Sequence, residues 1–173
     1  MKKIVTVLML VGTSLGLFVG VSAASTSSVQ AQVKFKIYSP TTFAGFALKA
    51  FALSDGTTCS DHAQVAFMLG GKGTFGNSYP GVNIFEKAAH TCNSGTGFNK
   101  QIATVLIRGH RAQVWSNCAG VAAGQCGAAQ VKRNGGLVTW TVPAVSGFRA
   151  TTVSVTTYNL AYSVLLAVAR GIK

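Results

Sequence analysis

Few side chains in this chain of 173 residues are of the types that carry acid–base chemistry. The acids and histidines together are Asp55, Asp61, Glu86, His62, His90 and His110. The best catalytic set combines one carboxylate, one histidine and two arginines, namely Glu86, His110, Arg108 and Arg111. A carboxylate base and a histidine acid, with arginines that hold phosphate, are groups that cleave RNA by acid–base chemistry. A secreted, basic ribonuclease-like hydrolase is therefore one hypothesis for this sequence.

This catalytic set is supported by residue types alone. The sequence contains no G-x-S-x-G or H-E-x-x-H motif and none that matches the secreted microbial ribonucleases. Arg108 and His110 share one face of a predicted strand, and a solvated face explains that spacing equally well. A constellation of types without a motif is weak support for an activity. The enzyme is accordingly the second hypothesis, and a protein without catalytic activity is the first.

The cysteines are the other reactive groups, and they are Cys59, Cys92, Cys118 and Cys126. In an exported chain, four cysteines predict two disulfides, although the sequence leaves three pairings open. We favour Cys59–Cys92 and Cys118–Cys126 because the second pair encloses only the small loop A-G-V-A-A-G-Q, which closes easily.

A metal site is the alternative role for part of this set. The residues Cys59, His62, His90 and Cys92 form a C-x2-H…H-x-C arrangement of four N/S ligands, which suits tetrahedral zinc. The H-x-C spacing is not that of a standard zinc knuckle, and an oxidising compartment competes for the thiols. Disulfides are therefore the preferred interpretation, and we predict no cofactor.

The charge is strongly unbalanced, with 15 Lys and Arg against 3 acids and a net charge of +12. Such a charge favours polyanionic partners such as wall polymers or anionic lipid surfaces. Nucleic acid is the weaker candidate, because its binders concentrate Lys and Arg into runs or stripes. Adaptation to an acidic medium explains the same balance. The basic groups that we predict to meet an anionic surface polymer are Lys34, Lys36, Arg108, Arg111, Lys132 and Arg133.

The first 31 residues have the pattern of a secretory signal peptide. Two lysines precede an apolar stretch over 4–21, and sites of the A-x-A type end at Ala23 and at Ala31. A retained anchor is the alternative, since the apolar stretch is about as long as a membrane span. We predict cleavage after Ala23 or Ala31, then a single β domain over 32–173 without an integral membrane span. The protein is expected to be secreted, either extracellular or at the cell surface.

Alternation of apolar and polar residues predicts short strands over 33–37, 64–69 and 152–156, and the continuous apolar, β-branched run over 102–107 predicts a central strand. The run over 102–107 is expected to continue past a bulge at Gly109. Residues 160–168 also alternate, although a helix would place Leu160, Val164 and Val168 together, and a short helix is allowed within 81–89. About seven or eight strands predict an all-β antiparallel sandwich or jelly-roll-like domain that is stapled by disulfides.

The strongest local signal is Asn134-Gly135, which lies between alternating runs. A type I′ turn needs positive φ at both central residues, and Asn-Gly tolerates this best. A hairpin at this position sets Val131 opposite Val138, so that apolar side chains meet on one face. The same register places Trp140 in the core.

These observations favour a secreted, disulfide-bonded protein without catalytic activity that acts by binding or assembly. The partner is expected to be an anionic surface polymer, or a second copy of the chain. In the second case the predicted first and last strands, 33–37 and 160–168, would pair between subunits by β-augmentation.

Overall fold

The computed structural model describes residues 25–41, 45–55, 63–70, 80–90, 97–122 and 124–173. The helices in these ranges are α1 (Ser25–Gln30), α2 (Ala128–Asn134) and α3 (Tyr162–Arg170). The strands are β1 (Leu48–Asp55), β2 (Ala63–Gly70), β3 (Gly81–Ala88), β4 (Lys100–Ile107), β5 (His110–Ser116), β6 (Gly136–Val142) and β7 (Thr151–Tyr158). Of the predicted signal peptide over 1–31, residues 1–24 lie outside the described residues, and its cleavage stays a prediction.

All seven strands belong to one sheet in the order β1-β2-β3-β7-β6-β5-β4, and every neighbouring pair is antiparallel. Every second side chain of β3 is buried, as a strand with one covered face requires. Strand β7, with the sequence T-T-V-S-V-T-T-Y, is rich in the β-branched residues that favour this conformation. The predicted all-β class and antiparallel pairing are confirmed.

The core lies on one face of this sheet. A single row of buried side chains crosses five strands in register: Phe67, Ile84, Val155, Val138 and Val114. Because strand side chains alternate between faces, the residues between these positions project from the opposite, outer face. The sheet therefore has an apolar core face and a separate outer face.

Helices and the N-terminal segment 25–41 cover the core face. Phe35 of that segment, Val131 of α2 and Leu165 of α3 belong to the same buried cluster. Backbone hydrogen bonds between Ser39 and Lys173 join the N-terminal segment to the end of the chain. The described residues thus place these elements where a sandwich would have its second sheet. The predicted sandwich or jelly roll with about seven or eight strands is not confirmed.

The predicted hairpin at Asn134-Gly135 is wrong, because the residues before Gly135 form helix α2. The run A-A-Q-V-K-R consists mostly of good helix formers, and Gly135 follows the helix with φ +81°. The helix buries Val131 directly against the start of β6. A Cβ placed on Gly136 would lie 2.6 Å from Val131 Cγ1 and 2.9 Å from Leu165 Cδ2. Asn-Gly therefore ends a helix here and does not make a two-residue turn.

The last predicted strand, 160–168, is also wrong. Helix α3 buries Leu165, Leu166, Val168 and Ala169, which is a helical spacing. Conversely, the stretch 81–89 that was allowed a short helix contains strand β3. Residues 33–37 bury alternate side chains as predicted, but they form only one isolated bridge, between Phe35 and Arg149. Self-association through the two terminal strands loses its structural basis, since neither is a strand.

The predicted bulge at Gly109 is a hairpin turn instead. Arg108 and Gly109 have φ values of +52° and +82° and connect β4 to β5 directly. Positive φ at both residues of a two-residue loop is the type I′ geometry that matches the twist of a hairpin. Within the described ranges, no helix has the length and apolarity that crossing a membrane requires.

Candidate functional site

Polar side chains converge on the outer face of the sheet at one end of its central strands. Thr152 of β7 lies between Lys87 of β3 and Thr141 of β6 in register. Thr139 of β6 is paired with Gln113 of β5. These residues alternate with buried core residues, so their side chains share the outer face.

An open cleft of about 860 Å³ follows this group of residues. It is lined by Lys87, His90, Gly109, His110, Arg111, Gln113, Thr139, Trp140, Thr141 and Thr152. We call it the outer-face cleft. Its volume is large enough for several units of an extended polymer, because drug-sized ligand pockets span about 300–1,000 Å³.

The lining of the outer-face cleft is cationic and rich in hydrogen-bonding groups. Lys87 and Arg111 are basic, and none of the described residues that line the cleft is acidic. Thr139 Oγ1 lies 3.0 Å from Ser154 Oγ, and Thr141 Oγ1 lies 3.4 Å from Thr152 Oγ1. Clefts lined by one sign of charge concentrate ligands of the opposite sign. The arrangement is suited to holding an anion.

A second, smaller cavity of about 180 Å³ lies next to the cleft. It is lined by Tyr38, Arg108, His110, Trp140, Val142, Val153 and Ile172, and we call it the small pocket. His110 and Trp140 border both cavities. The Arg108 guanidinium donates a hydrogen bond of 2.9 Å from Nη1 to the carbonyl oxygen of Ile172. That bond joins the β4–β5 turn to the C-terminal segment.

Glu86 is fully buried on the core face. Its Oε2 accepts a hydrogen bond of 2.8 Å from the Tyr38 backbone N–H. Its Oε1 has no hydrogen-bond partner among the described residues. Burial raises the pKa of Glu86 to about 8, and the Tyr38 N–H acts in the opposite direction. The carboxyl group is therefore mostly protonated at neutral pH.

Tyr38 connects Glu86 electrostatically with the small pocket. Burial and the nearby Glu86 carboxylate raise the pKa of the Tyr38 hydroxyl, whereas the positive charge of Arg108 lowers it. Both charged residues are therefore near enough to this phenol to act on its pKa. The phenol and the guanidinium border the small pocket, and the buried acid lies outside its lining.

The structure brings together only part of the set proposed for RNA cleavage. Arg108 and His110 both line the small pocket, whereas Arg111 lines the outer-face cleft. Glu86 lies behind them in the core, and its raised pKa leaves it protonated where a general base must be ionised. This arrangement gives no support to Glu86 as a base at neutral pH.

The predicted basic binding residues do not form one patch. Lys132 and Arg133 are exposed in the last turn of α2, next to the start of β6. Arg111 lines the cleft instead, toward the opposite end of β6. Lys34 and Lys36 are exposed on the N-terminal segment, where the Lys36 ammonium lies 5.5 Å from the centre of the Tyr38 ring. Of the predicted set, only Arg108 and Arg111 line the two cavities.

The predicted disulfide between Cys118 and Cys126 is confirmed. Cys59 and Cys92 lie outside the described residues, so their pairing stays a prediction. His62 also lies outside them, whereas His90 lines the outer-face cleft. Within the described part of the chain, no three His, Cys, Asp or Glu side chains form a group that could hold a metal.

Several residues of the site carry no functional signal in the sequence. Lys87, Gln113, Thr139 and Thr141 line the outer-face cleft, and Tyr38 lines the small pocket. Their outward positions follow from alternation once each strand is known. No local signal in the sequence indicates that β3, β7, β6 and β5 are neighbours.

Comparison with known protein families, with curated proteins and with solved structures finds no match to this chain.

Proposed function

We propose that this protein is a secreted binding protein without catalytic activity that holds an anionic cell-surface polymer in its outer-face cleft. The observation that carries the proposal is the cationic lining of the cleft. Lys87 and Arg111 line it together with threonine hydroxyls and the Gln113 amide, without an acid among the described lining residues. Arg111 is exposed at the cleft, where its planar guanidinium can bind a carboxylate or phosphate with two hydrogen bonds.

The lining favours an anionic polysaccharide or polyol phosphate over nucleic acid. Proteins that hold single strands stack the bases on exposed aromatic side chains. The aromatic residue of the outer-face cleft is Trp140, which is only 5% exposed and packs in the core. The hydroxyl and amide groups of the cleft instead match the hydroxyls and charged oxygens of a wall polymer.

Secretion is part of the same proposal. The predicted signal peptide and the disulfide Cys118–Cys126 both fit an oxidising, extracytoplasmic compartment. An excess of basic groups is useful there, because the surface polymers of cells are commonly anionic.

Binding to poly(glycerol phosphate), measured by calorimetry across a salt series, tests this function. We expect the logarithm of the association constant to fall linearly with that of the salt concentration, by about 0.7–0.9 per phosphate contacted. Arg111→Gln should weaken binding several-fold and reduce the slope by about one contact. Lys132→Gln removes the same charge from the exposed end of α2 and serves as the matched control.

Equal losses in the Arg111→Gln and Lys132→Gln variants would show that net charge alone attracts the polymer, and the outer-face cleft would not be its site. A single-stranded oligonucleotide of equal charge that binds more tightly than the phosphate polymer would identify nucleic acid as the partner. If the protein cleaves an RNA substrate and the His110→Ala variant does not, the hydrolase hypothesis replaces this proposal.

A further inference from the structure

The small pocket has the size and lining of a site for one ring-sized group. Its volume of about 180 Å³ slightly exceeds the roughly 150 Å³ of a protein cavity that takes up benzene. Trp140, Val142 and Val153 supply apolar surface, whereas Tyr38, Arg108 and His110 supply polar groups. A few convergent polar groups around an apolar floor are the usual composition of a ligand site.

The turn that carries Arg108 has an unusual residue in its first position. Arg108 has φ +52° in the two-residue turn to Gly109, where Asn-Gly is the preferred pair. A residue other than Gly, Asn or Asp is strained at positive φ, and such backbone strain often occurs at ligand sites. The turn places the guanidinium at the pocket, where one N–H of its five is used by the Ile172 carbonyl.

The small pocket adjoins the outer-face cleft. His110 and Trp140 line both, so the two cavities meet at these residues. The volume of the pocket matches one six-membered ring, whereas that of the cleft is several times larger. A polymer that lies in the cleft and ends at His110 and Trp140 can therefore place its last unit in the pocket.

We propose that the small pocket binds the terminal acidic sugar of the anionic polymer, with Arg108 on its carboxylate and the apolar floor against its ring. This inference rests on the proposed function and specifies the polymer as one that ends in an acidic sugar. His110 lines both cavities and supplies a hydrogen-bonding group where the end unit joins the rest of the polymer.

Binding of galacturonate, galactose and inorganic phosphate to the folded full-length secreted protein separates the elements of recognition. We expect galacturonate to bind at least ten-fold more tightly than galactose, which has the ring without the charge, or phosphate, which has the charge without the ring. Calorimetry and the fluorescence of Trp140, with Trp140→Phe as the control for the signal, report binding.

Arg108→Asn is the decisive variant, because it removes the guanidinium while it installs the residue that the turn prefers. We expect at least a ten-fold loss of galacturonate binding by a variant that stays folded at the assay temperature, since the preferred turn residue offsets part of the lost hydrogen bond to Ile172. The matched variant Arg111→Gln should bind galacturonate within two-fold of the unmodified protein, while its affinity for an oligogalacturonide decreases.

Unchanged galacturonate binding in Arg108→Asn, or equal binding of phosphate and galacturonate, would overturn the inference. If poly(glycerol phosphate) binds and galacturonate does not, the end-unit site is disproved and the proposed function survives. If galacturonate binds and neither polymer does, the proposed function fails, and with it the end-unit role of the pocket.

Discussion

The backbone N–H of Tyr38 donates a hydrogen bond of 2.8 Å to Oε2 of Glu86, a residue 48 positions further along the chain. This bond attaches the N-terminal segment to the middle of the sheet. It does so with a carboxyl group that is fully buried and whose other oxygen has no partner among the described residues. The free energy of burying this carboxyl group therefore depends on its protonation state.

Stability should fall as the pH rises because of Glu86. Its folded pKa, about 8, lies above the ordinary value of 4.5, so the folded protein retains a proton that the unfolded chain loses. The contribution of the neutral carboxyl is complete below pH 4.5 and is lost as the pH rises through 8. The slope is at most about 1.4 kcal/mol per pH unit between these limits.

Glu86→Gln isolates this effect, since the amide oxygen can accept the same hydrogen bond without titrating. Urea unfolding at intervals from pH 4.5 to 9 should give similar free energies of unfolding for the two proteins near pH 4.5. As the pH rises, the variant should become increasingly more stable than the unmodified protein. Parallel curves for the two proteins would show that Glu86 titrates near its ordinary pKa in the folded state.

The mature protein should begin at Ala24. Cleavage after Ala31 would remove Val29, which is buried in the core, and Gln30, whose side chain bonds the Phe35 carbonyl and the Ile37 N–H at 2.8 Å each. The intact mass of the secreted protein distinguishes the two possible N-termini directly.

Gln30→Ala should lower the free energy of unfolding by about 1–3 kcal/mol, since it leaves the Phe35 carbonyl and the Ile37 N–H unpaired. Gln32→Ala, whose side chain bonds only the Ser28 carbonyl at an exposed position, is the control.

Gly136→Ala should destabilise the protein by about 1–3 kcal/mol, the usual cost of overpacking a core. The added methyl group would overlap Val131 and Leu165, where α2 and α3 meet the start of β6. Gly127→Ala is a fair comparison, because Gly127 has extended dihedral angles and open space around its Cβ position. Thermal unfolding gives the melting temperature of each variant. Equal melting temperatures would mean that α2 and α3 do not pack tightly against β6 at Gly136.

Loss of the disulfide between Cys118 and Cys126 should cost at most about 2.5 kcal/mol, because it closes a loop with a sequence separation of only 8. The double serine variant should keep its affinity for the polymer, since neither cysteine lines the outer-face cleft or the small pocket. Chemical denaturation and calorimetry test the two statements separately, and a weakened affinity would connect this loop to the site.

The second predicted disulfide can be examined by peptide mapping without reductant. A linked peptide that contains Cys59 and Cys92 would exclude a thiolate metal site that uses both. Alkylation of both thiols after chelation, with zinc in the native mass, would instead establish the metal alternative with His62 and His90 as the other ligands.

The sequence by itself determined the features that depend on neighbours in the chain. Alternation over 64–69 and 152–156 predicted strands β2 and β7, because a period of two is a local property of a half-buried strand. The continuous apolar run over 102–107 predicted strand β4 but not its place, since β4 lies at the edge of the sheet and not at its centre. The disulfide Cys118–Cys126 followed in the same way from the short loop that it closes. The excess of basic groups was a matter of composition.

Only the tertiary structure decided the rest, because those features depend on contacts between distant segments. Asn134-Gly135 permits both a hairpin and a helix end, and packing of Val131 near Gly136 and Leu165 selects the helix. Arg108 and Tyr38 meet because the N-terminal segment crosses the core face, which no local pattern encodes. The outer-face cleft likewise exists because the strand order places β3, β7, β6 and β5 side by side. Long-range pairing is set by burial of the whole core face, and therefore the position of the site could not be predicted from the sequence.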